Sequence, residues 1–340
     1  MNVVINPALH DRRSVLKALL ASGLSIGLGS AAIAERRFDK TFKIGIIGLS
    51  VHSADFTEII NSPEDEGFKD MKVVAIYHPE GNEDVEFEAE QLNNFRNRIK
   101  NRGVEFVGSI DAVEQKSDAV MLLTNDGRPH LEQLLPVFRS GKPVYVDKPL
   151  ADTLDQVKVI FKASREYGAV VFTSSALRYG QNVDTIKDGE AVGKVIGADT
   201  FSPAPIQPSH VDLFWDGIHG VELLFSVMGI GCQSVTRTHV EGTDVVVGIW
   251  KDNRIGIFRG IRKGKSGFGG TVYGVDGIAA IGGFGGYRPL VLAIADFFRT
   301  NISPVSMEET VEIYAFMEAA DESKRQGGIP IKLSSVLGVK

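Results

Sequence analysis

The chain of 340 residues has a single cysteine, Cys232, so no intrachain disulfide can staple it and its fold must rest on packed cores. Tryptophan is scarce, at two residues, and no apolar run is long enough to span a bilayer. A large excess of one charge is also missing. The net charge of -6 gives no reason to expect a nucleic acid as partner. Internal repeats are absent, and the length provides for two hydrophobic cores.

The amino terminus has its own composition. Arg12 and Arg13 are followed by a weakly apolar, Gly- and Ser-rich run from Ala18 to Ile33, and Ala32-Ile33-Ala34 is an A-x-A cleavage site. This pattern predicts a twin-arginine export signal over residues 1–34, with the twin-arginine translocation machinery as a partner and a soluble periplasmic product. No cysteine follows the run, so no lipid anchor and no membrane attachment is expected after cleavage.

From residue 35 onward, short buried-strand patterns alternate with helical ones. Phe42–Gly48, Lys72–Tyr77, Val104–Val107, Asp118–Leu123 and Val144–Val146 read as strands; Asp55–Asn61, Glu86–Lys100 and His130–Ser140 read as helices. This alternation predicts an α/β, Rossmann-like doubly wound parallel sheet over residues 35–150. Residues 151–340 change character. Strand-like runs joined by Gly- and Asp-rich turns predict a carboxyl-terminal α+β domain with a mostly antiparallel open sheet, and Ser306 with Glu309 forms a capping box opening a long helix. The uncovered face of such a sheet predicts a homo-oligomer, a dimer or tetramer. The glycine-rich tract Gly264–Gly286 follows no buried parallel strand and reads as turns.

The most informative stretch is Gly141-Lys142-Pro143-Val144-Tyr145-Val146-Asp147-Lys148-Pro149. A short buried strand delivers an acid, a lysine and a proline to the sheet edge where ligands bind, and proline can hold the turn, cis or trans, that aims the lysine. The whole segment TNDGRPHLEQLLPVFRSGKPVYVDKP, from Thr124 to Pro149, resembles the Gfo/Idh/MocA family of glucose–fructose oxidoreductase and inositol dehydrogenase, in which "GK-x-V-x-x-EKP" follows a strand, a loop ending in His, and a helix. Asp147 stands where that family usually has Glu. The resemblance continues through WDGIHGVELLF, Trp215 to Phe225, and into the helical carboxyl terminus.

The resemblance implies an NAD- or NADP-dependent oxidation of a secondary alcohol on a sugar or cyclitol, with Lys148 and His219 acting on the hydroxyl proton and Asp147 holding Lys148. The first βα turn departs from the Gly-x-Gly-x-x-Gly fingerprint. It reads Gly48-Leu49-Ser50-Val51-His52-Ser53, and His78 stands where an acid should hold the ribose. The expected cofactor residues are Gly48, Ser50, His52, Ser53, His78, Asp126, His130 and Lys148, with the two serine hydroxyls as further phosphate donors. Substrate contacts are expected from Arg128, Arg178, Asp216 and Glu222, with His210 and Asp212 beside them. An exported protein must carry its cofactor out. Holding it for about an hour, with association near 10⁶ M⁻¹s⁻¹, requires a Kd around 10⁻¹⁰ M, so tight binding is expected. Two alternatives stay open: a lyase, hydrolase or isomerase that uses its bound cofactor transiently, or a sugar-binding protein with a degenerate nucleotide site.

Overall fold

The computed structural model describes residues 40–338; the export signal expected over residues 1–34 lies outside them. Six strands form the first sheet: β1 (Phe42–Ile47), β2 (Met71–Tyr77), β3 (Glu105–Phe106), β4 (Ala119–Leu122), β5 (Val144–Val146) and β6 (Val171–Thr173). Their order is β3-β2-β1-β4-β5-β6 and every pairing is parallel, the doubly wound arrangement expected. The helices between them are α1 (Val51–Ile60), α2 (Ala89–Asn101), α3 (Ile110–Lys116), α4 (His130–Arg139) and α5 (Leu154–Tyr167). Helix α1 starts four residues before the expected Asp55, because Ser50 and Ser53 form a reciprocal capping box at its amino end.

Register brings the site together. Ile47 pairs with Tyr77 and Leu122, Leu122 with Val146, and Val146 with Thr173. The residues just beyond these positions therefore share one carboxyl-terminal edge of the sheet: Gly48, His78, Leu123, Asp147 and Ser174.

The second sheet contains β7 (Val195–Pro203), β8 (Cys232–Val240), β9 (Thr243–Trp250), β10 (Ile255–Ile261), β11 (Gly269–Gly274), β12 (Ile278–Ile281) and β13 (Ile331–Lys332). It is antiparallel except where β7 and β10 run parallel. Helices α6 (Val183–Lys187), α7 (Ile218–Met228), α8 (Arg288–Thr300), α9 (Met307–Arg325) and α10 (Leu333–Leu337) complete the chain. Helices α7 and α9 cover one face of this sheet. On the other, Val245, Val247 and Ile249 alternate with the buried Val246 and Trp250 and stay part-exposed. Helix α8 leaves this domain and packs Leu290, Val291, Ile294, Phe297 and Phe298 into the core beneath β1 and α1.

Candidate active site

At the shared strand edge lies a cavity of about 280 Å³, lined by His52, Asp147, Lys148, Ser175, His219 and Tyr287 among others. These polar residues arrive from five elements. His52 comes from the first turn of α1, Asp147 and Lys148 follow β5, Ser175 follows β6, His219 opens α7, and Tyr287 caps α8. The Lys148–Pro149 peptide bond is cis. Phe268, Phe284, Ala176, Leu177 and Leu290 supply an apolar wall.

Lys148 Nζ lies 3.7 Å from Asp216 Oδ1, and the same carboxylate oxygen is 4.0 Å from His219 Nε2. Asp216 precedes α7 and lies off its surface, yet its carboxylate reaches both expected catalytic groups. His219 Nδ1 is 2.7 Å from Ser175 Oγ. Ser175 Oγ also accepts from the Leu177 N–H; with the Ser175 O–H donating to Nδ1, the imidazole proton lies on Nε2. Burial, reinforced by the Lys148 charge, drives the His219 pKa well below that of a free histidine. His219 is thus a neutral N–H donor facing the cavity. In that tautomer it suits holding an oxygen better than taking its proton.

His52, expected to contact the cofactor, faces this cavity instead. Its Nδ1 is 2.5 Å from Asp147 Oδ2 and its Nε2 is 3.0 Å from Tyr287 Oη, and its ring stacks on Phe56 with centroids 5.3 Å apart. Asp147 receives His52 and the Lys148 N–H, the latter at 2.9 Å. Burial opposes its ionisation, but His52 and Lys148 outweigh that and lower its pKa. Asp147 therefore anchors His52 as much as it holds Lys148.

Several other expected contacts are committed elsewhere. Ser50 and Ser53 are buried and cap each other, and Ser53 Oγ donates to Gly48 O at 2.9 Å, so their hydroxyls close the turn. His130 is fully buried between the carbonyls of Thr124 and Leu150, each 3.1 Å from a ring nitrogen, and pins the 124–130 loop to the Lys148 turn. Arg178 and Glu222 are paired at 3.1 Å, and Arg178 also meets Glu309; they brace residues Ala176–Tyr179 against α7 behind the cavity. Burial pushes Glu222 up to about 7 despite Arg178. Asp212 joins Arg237, Arg262 and Lys324 in a buried ion network that holds the preceding loop to the second sheet.

The nucleotide edge is strapped. Between β2 and α2, residues 78–88 cross the cleft. Asn82 Nδ2 donates to Asp126 at 2.6 Å, Arg128 reaches Asp84 at 2.7 Å, Asn125 donates to Val85 O at 3.1 Å, and Gln207 to Asp84 O at 3.2 Å. Asp126 also accepts from the Arg128 N–H and guanidinium and from His210. Burial raises its pKa, but these donors overcome that and hold the carboxyl at about 2. Asp126, Arg128 and His210 are thus the strap's fastening, leaving Asp126 no free lone pair for a ribose.

His78 Nδ1 is buried without a hydrogen-bond partner at the end of β2. Burial lowers its pKa, and the charges of Glu86 and Arg96 both reach it, so an arginine absent from the sequence expectation is nearby. For a dinucleotide the fit is divided. Gly48, at φ 100°, keeps the turn that brings backbone to a diphosphate, and the cavity lies where the nicotinamide end would be. About 20 Å³ remains at the adenosine end, between Gly48, His78, Asn82 and Asp126, too little for that half with the strap in this position. No cluster of metal-ligating side chains exists among the described residues.

Residues 42–175 match the family model described as "Oxidoreductase family, NAD-binding Rossmann fold" (GFO_IDH_MocA). A stretch of 107 residues is 35% identical to a 1,5-anhydro-D-fructose reductase from Ensifer adhaerens, covering 31% of this chain and 30% of that protein. Among solved structures, the chain is similar to a scyllo-inositol dehydrogenase from Lactobacillus casei with bound NAD(H) and scyllo-inositol: TM-score 0.67, 15% identity, 87% of this chain and 100% of that one. It is also similar to a myo-inositol 2-dehydrogenase from Lactobacillus plantarum: TM-score 0.69, 16% identity, 86% of this chain and 99% of that one. At these identities the structural likeness establishes the fold.

Proposed function

We propose that the chain as a whole is a member of the Gfo/Idh/MocA family, an exported, NAD- or NADP-dependent oxidoreductase acting on a secondary alcohol of a sugar or cyclitol. The observation that carries this reading is the convergence of Lys148 and His219 on one cavity at the carboxyl edge of a Rossmann sheet, with Asp216 beside both. A cavity of about 280 Å³ with Phe268 and Phe284 on its wall suits a ring with polar edges and C–H faces.

A nicotinamide cofactor bound at this edge would supply the hydride acceptor. Gly48 and the amino end of α1 would take its diphosphate, and residues 78–88 would close over its adenosine. The chain's own groups orient the alcohol. The Lys148 ammonium and His219 Nε2–H donate to the oxygen that gains charge, and Asp216 accepts from a neighbouring hydroxyl. The strap supports retention of the cofactor, which a periplasmic location requires. Retention also favours a second reading, in which the bound cofactor is regenerated on the enzyme and the net reaction is an elimination, hydrolysis or isomerisation.

The test is to purify the full-length product from periplasm, denature it, and identify the nucleotide released by absorbance and mass. About one NAD or NADP per chain is expected. No nucleotide, together with no binding of NAD or NADP in calorimetry, would remove the oxidoreductase reading; recovery from cytoplasm alone would remove export. Arg128→Ala cuts a side-chain tether of the strap and is expected to speed nucleotide exchange at least tenfold with little loss of stability; an unchanged exchange rate would mean that the strap does not gate the cleft.

The open face of the second sheet supports a homo-oligomer. Val247→Asp, in the middle of its part-exposed row, is expected to reduce the assembly to monomers in light scattering while leaving the melting curve of the monomer intact. A wild-type monomer would rule the interface out.

A further inference from the structure

With its proton on Nε2, His219 is a donor to the cavity, and a group that removes a substrate proton is to be sought elsewhere on the wall. Among the described residues lining the cavity, His52 has the complementary arrangement. Its Nδ1 is paired with Asp147 at 2.5 Å and so carries a proton; in the neutral imidazole Nε2 keeps a lone pair that can accept the Tyr287 O–H, 3.0 Å away. Stacking on Phe56 and the edge contact with Tyr287, centroids 4.7 Å apart, fix the ring in this orientation. The Tyr287 side chain in turn packs edge-on against Phe56 and Phe284.

We infer that Asp147, His52 and Tyr287 form a proton relay in which Tyr287 Oη is the group that takes the proton from the substrate hydroxyl. This deepens the reading of the site as an alcohol oxidoreductase and rests on it. The substrate O–H bond breaks and its proton passes to the Tyr287 oxygen as the phenol's own proton moves to His52 Nε2. The imidazolium so formed is matched by the Asp147 carboxylate. The electron pair left on the substrate oxygen forms the carbonyl as the carbon gives hydride to an oxidant of the nicotinamide class. In the reductive direction every transfer reverses.

Burial and the nearby Asp147 charge push the Tyr287 pKa up to about 12, which keeps the phenol protonated and makes it a conduit, with the basic site on His52. Tyr287 is the catalytic residue of the relay, touching substrate; His52 and Asp147 act through it and are positioning residues. The relay also accounts for a histidine in the nucleotide-binding turn: position 52 serves the chemistry at the opposite end of the cleft.

The experiment uses the full-length protein labelled with nitrogen-15. Imidazole spectra are expected to show His52 protonated on Nδ1, with that proton far downfield, and unprotonated on Nε2. Asp147→Asn should abolish the downfield proton, and Tyr287→Phe should keep it while shifting Nε2. A His52 protonated on Nε2 would overturn the relay.

Turnover is followed as reduced nicotinamide formed from a panel of sugars and cyclitols. Tyr287→Phe removes one oxygen and keeps the ring's packing; it is expected to lower kcat about 10²- to 10⁴-fold with KM within about threefold. His52→Gln should do the same, and the double variant should be no worse than the poorer single one. Should His52→Gln fail to fold, Tyr287→Phe and the spectra still decide. Full turnover in Tyr287→Phe would overturn the proposal. No turnover in the wild type alongside an Nδ1-protonated His52 would overturn the alcohol reading and leave the relay's geometry standing.

Discussion

Gly48→Val is expected to unfold much of the first sheet as well as to empty the cofactor cleft. A Cβ at position 48 would lie 2.3 Å from Thr124 N and 2.6 Å from Leu123 C, backbone atoms that cannot swing aside as a side chain can. Those atoms lie just beyond β4, in a segment tied to β1 by Leu123 N donating to Ile47 O at 2.7 Å. The φ of 100° adds strain for any residue with a Cβ. Left-handed strain of about 1–2 kcal/mol and overpacking of about 1–3 kcal/mol add to a large part of a typical stability of about 5–15 kcal/mol. The urea midpoint should fall sharply, and Gly48→Ala should show most of the loss. A midpoint equal to wild type with nucleotide lost would mean that the glycine serves the diphosphate alone. The sequence assigns Gly48 to diphosphate approach; the packing gives it a second task, which is why a variant that loses only cofactor is not expected here.

Lys148→Ala and His219→Ala are expected to lower turnover by about 10²- to 10⁴-fold, or roughly 3–5 kcal/mol at the transition state, with near-normal melting curves. Lys148 is part-exposed and its only ion pair among those described is the 3.7 Å contact with Asp216, so its removal leaves no buried charge unpaired. His219 leaves behind a Ser175 hydroxyl that still receives the Leu177 N–H. Both donors serve the same developing oxyanion, so the double variant should fall short of the product of the two losses. Turnover equal to wild type in both single variants would strip the pair of its role and leave the fold untouched.

Much of this site is written in short spans of the sequence. The strand Val144–Val146 with Asp147-Lys148-Pro149 behind it could be read directly, because a buried run ending in a proline turn is a local pattern. His219 could be read from its segment, and Asp216 lies beside both Lys148 and His219 although it precedes the helix. What stayed hidden was partnership across the chain. Arg178 and Glu222 have the charge of substrate ligands, and only packing reveals that each satisfies the other. Asp126, Arg128 and His210 look like ligand residues for the same reason; their partners Asn82 and Asp84 belong to a loop whose path no periodicity encodes. Tyr287 had no local signal beyond an aromatic before a helix, and its meeting with His52 depends on α8 crossing back to the first sheet. Ser50 and Ser53 did carry a usable signal: serines spaced three apart at a helix start are a capping pair before they are phosphate ligands.

That return of α8 has a consequence for dissecting the protein. The apparent boundary near residue 150 cuts through both the sheet and the core, since β6 extends the first sheet to Thr173 and α8 supplies Leu290, Val291, Ile294, Phe297 and Phe298 to the cluster around Ile46 and Phe56. A fragment ending at 150 would expose the floor on which α8 rests, and the complementary fragment would display an aromatic helix with nothing to cover it. Tyr287 and His52 would then be on separate polypeptides. The two halves are halves of one folding unit, to be recovered together by co-expression and not as independent modules.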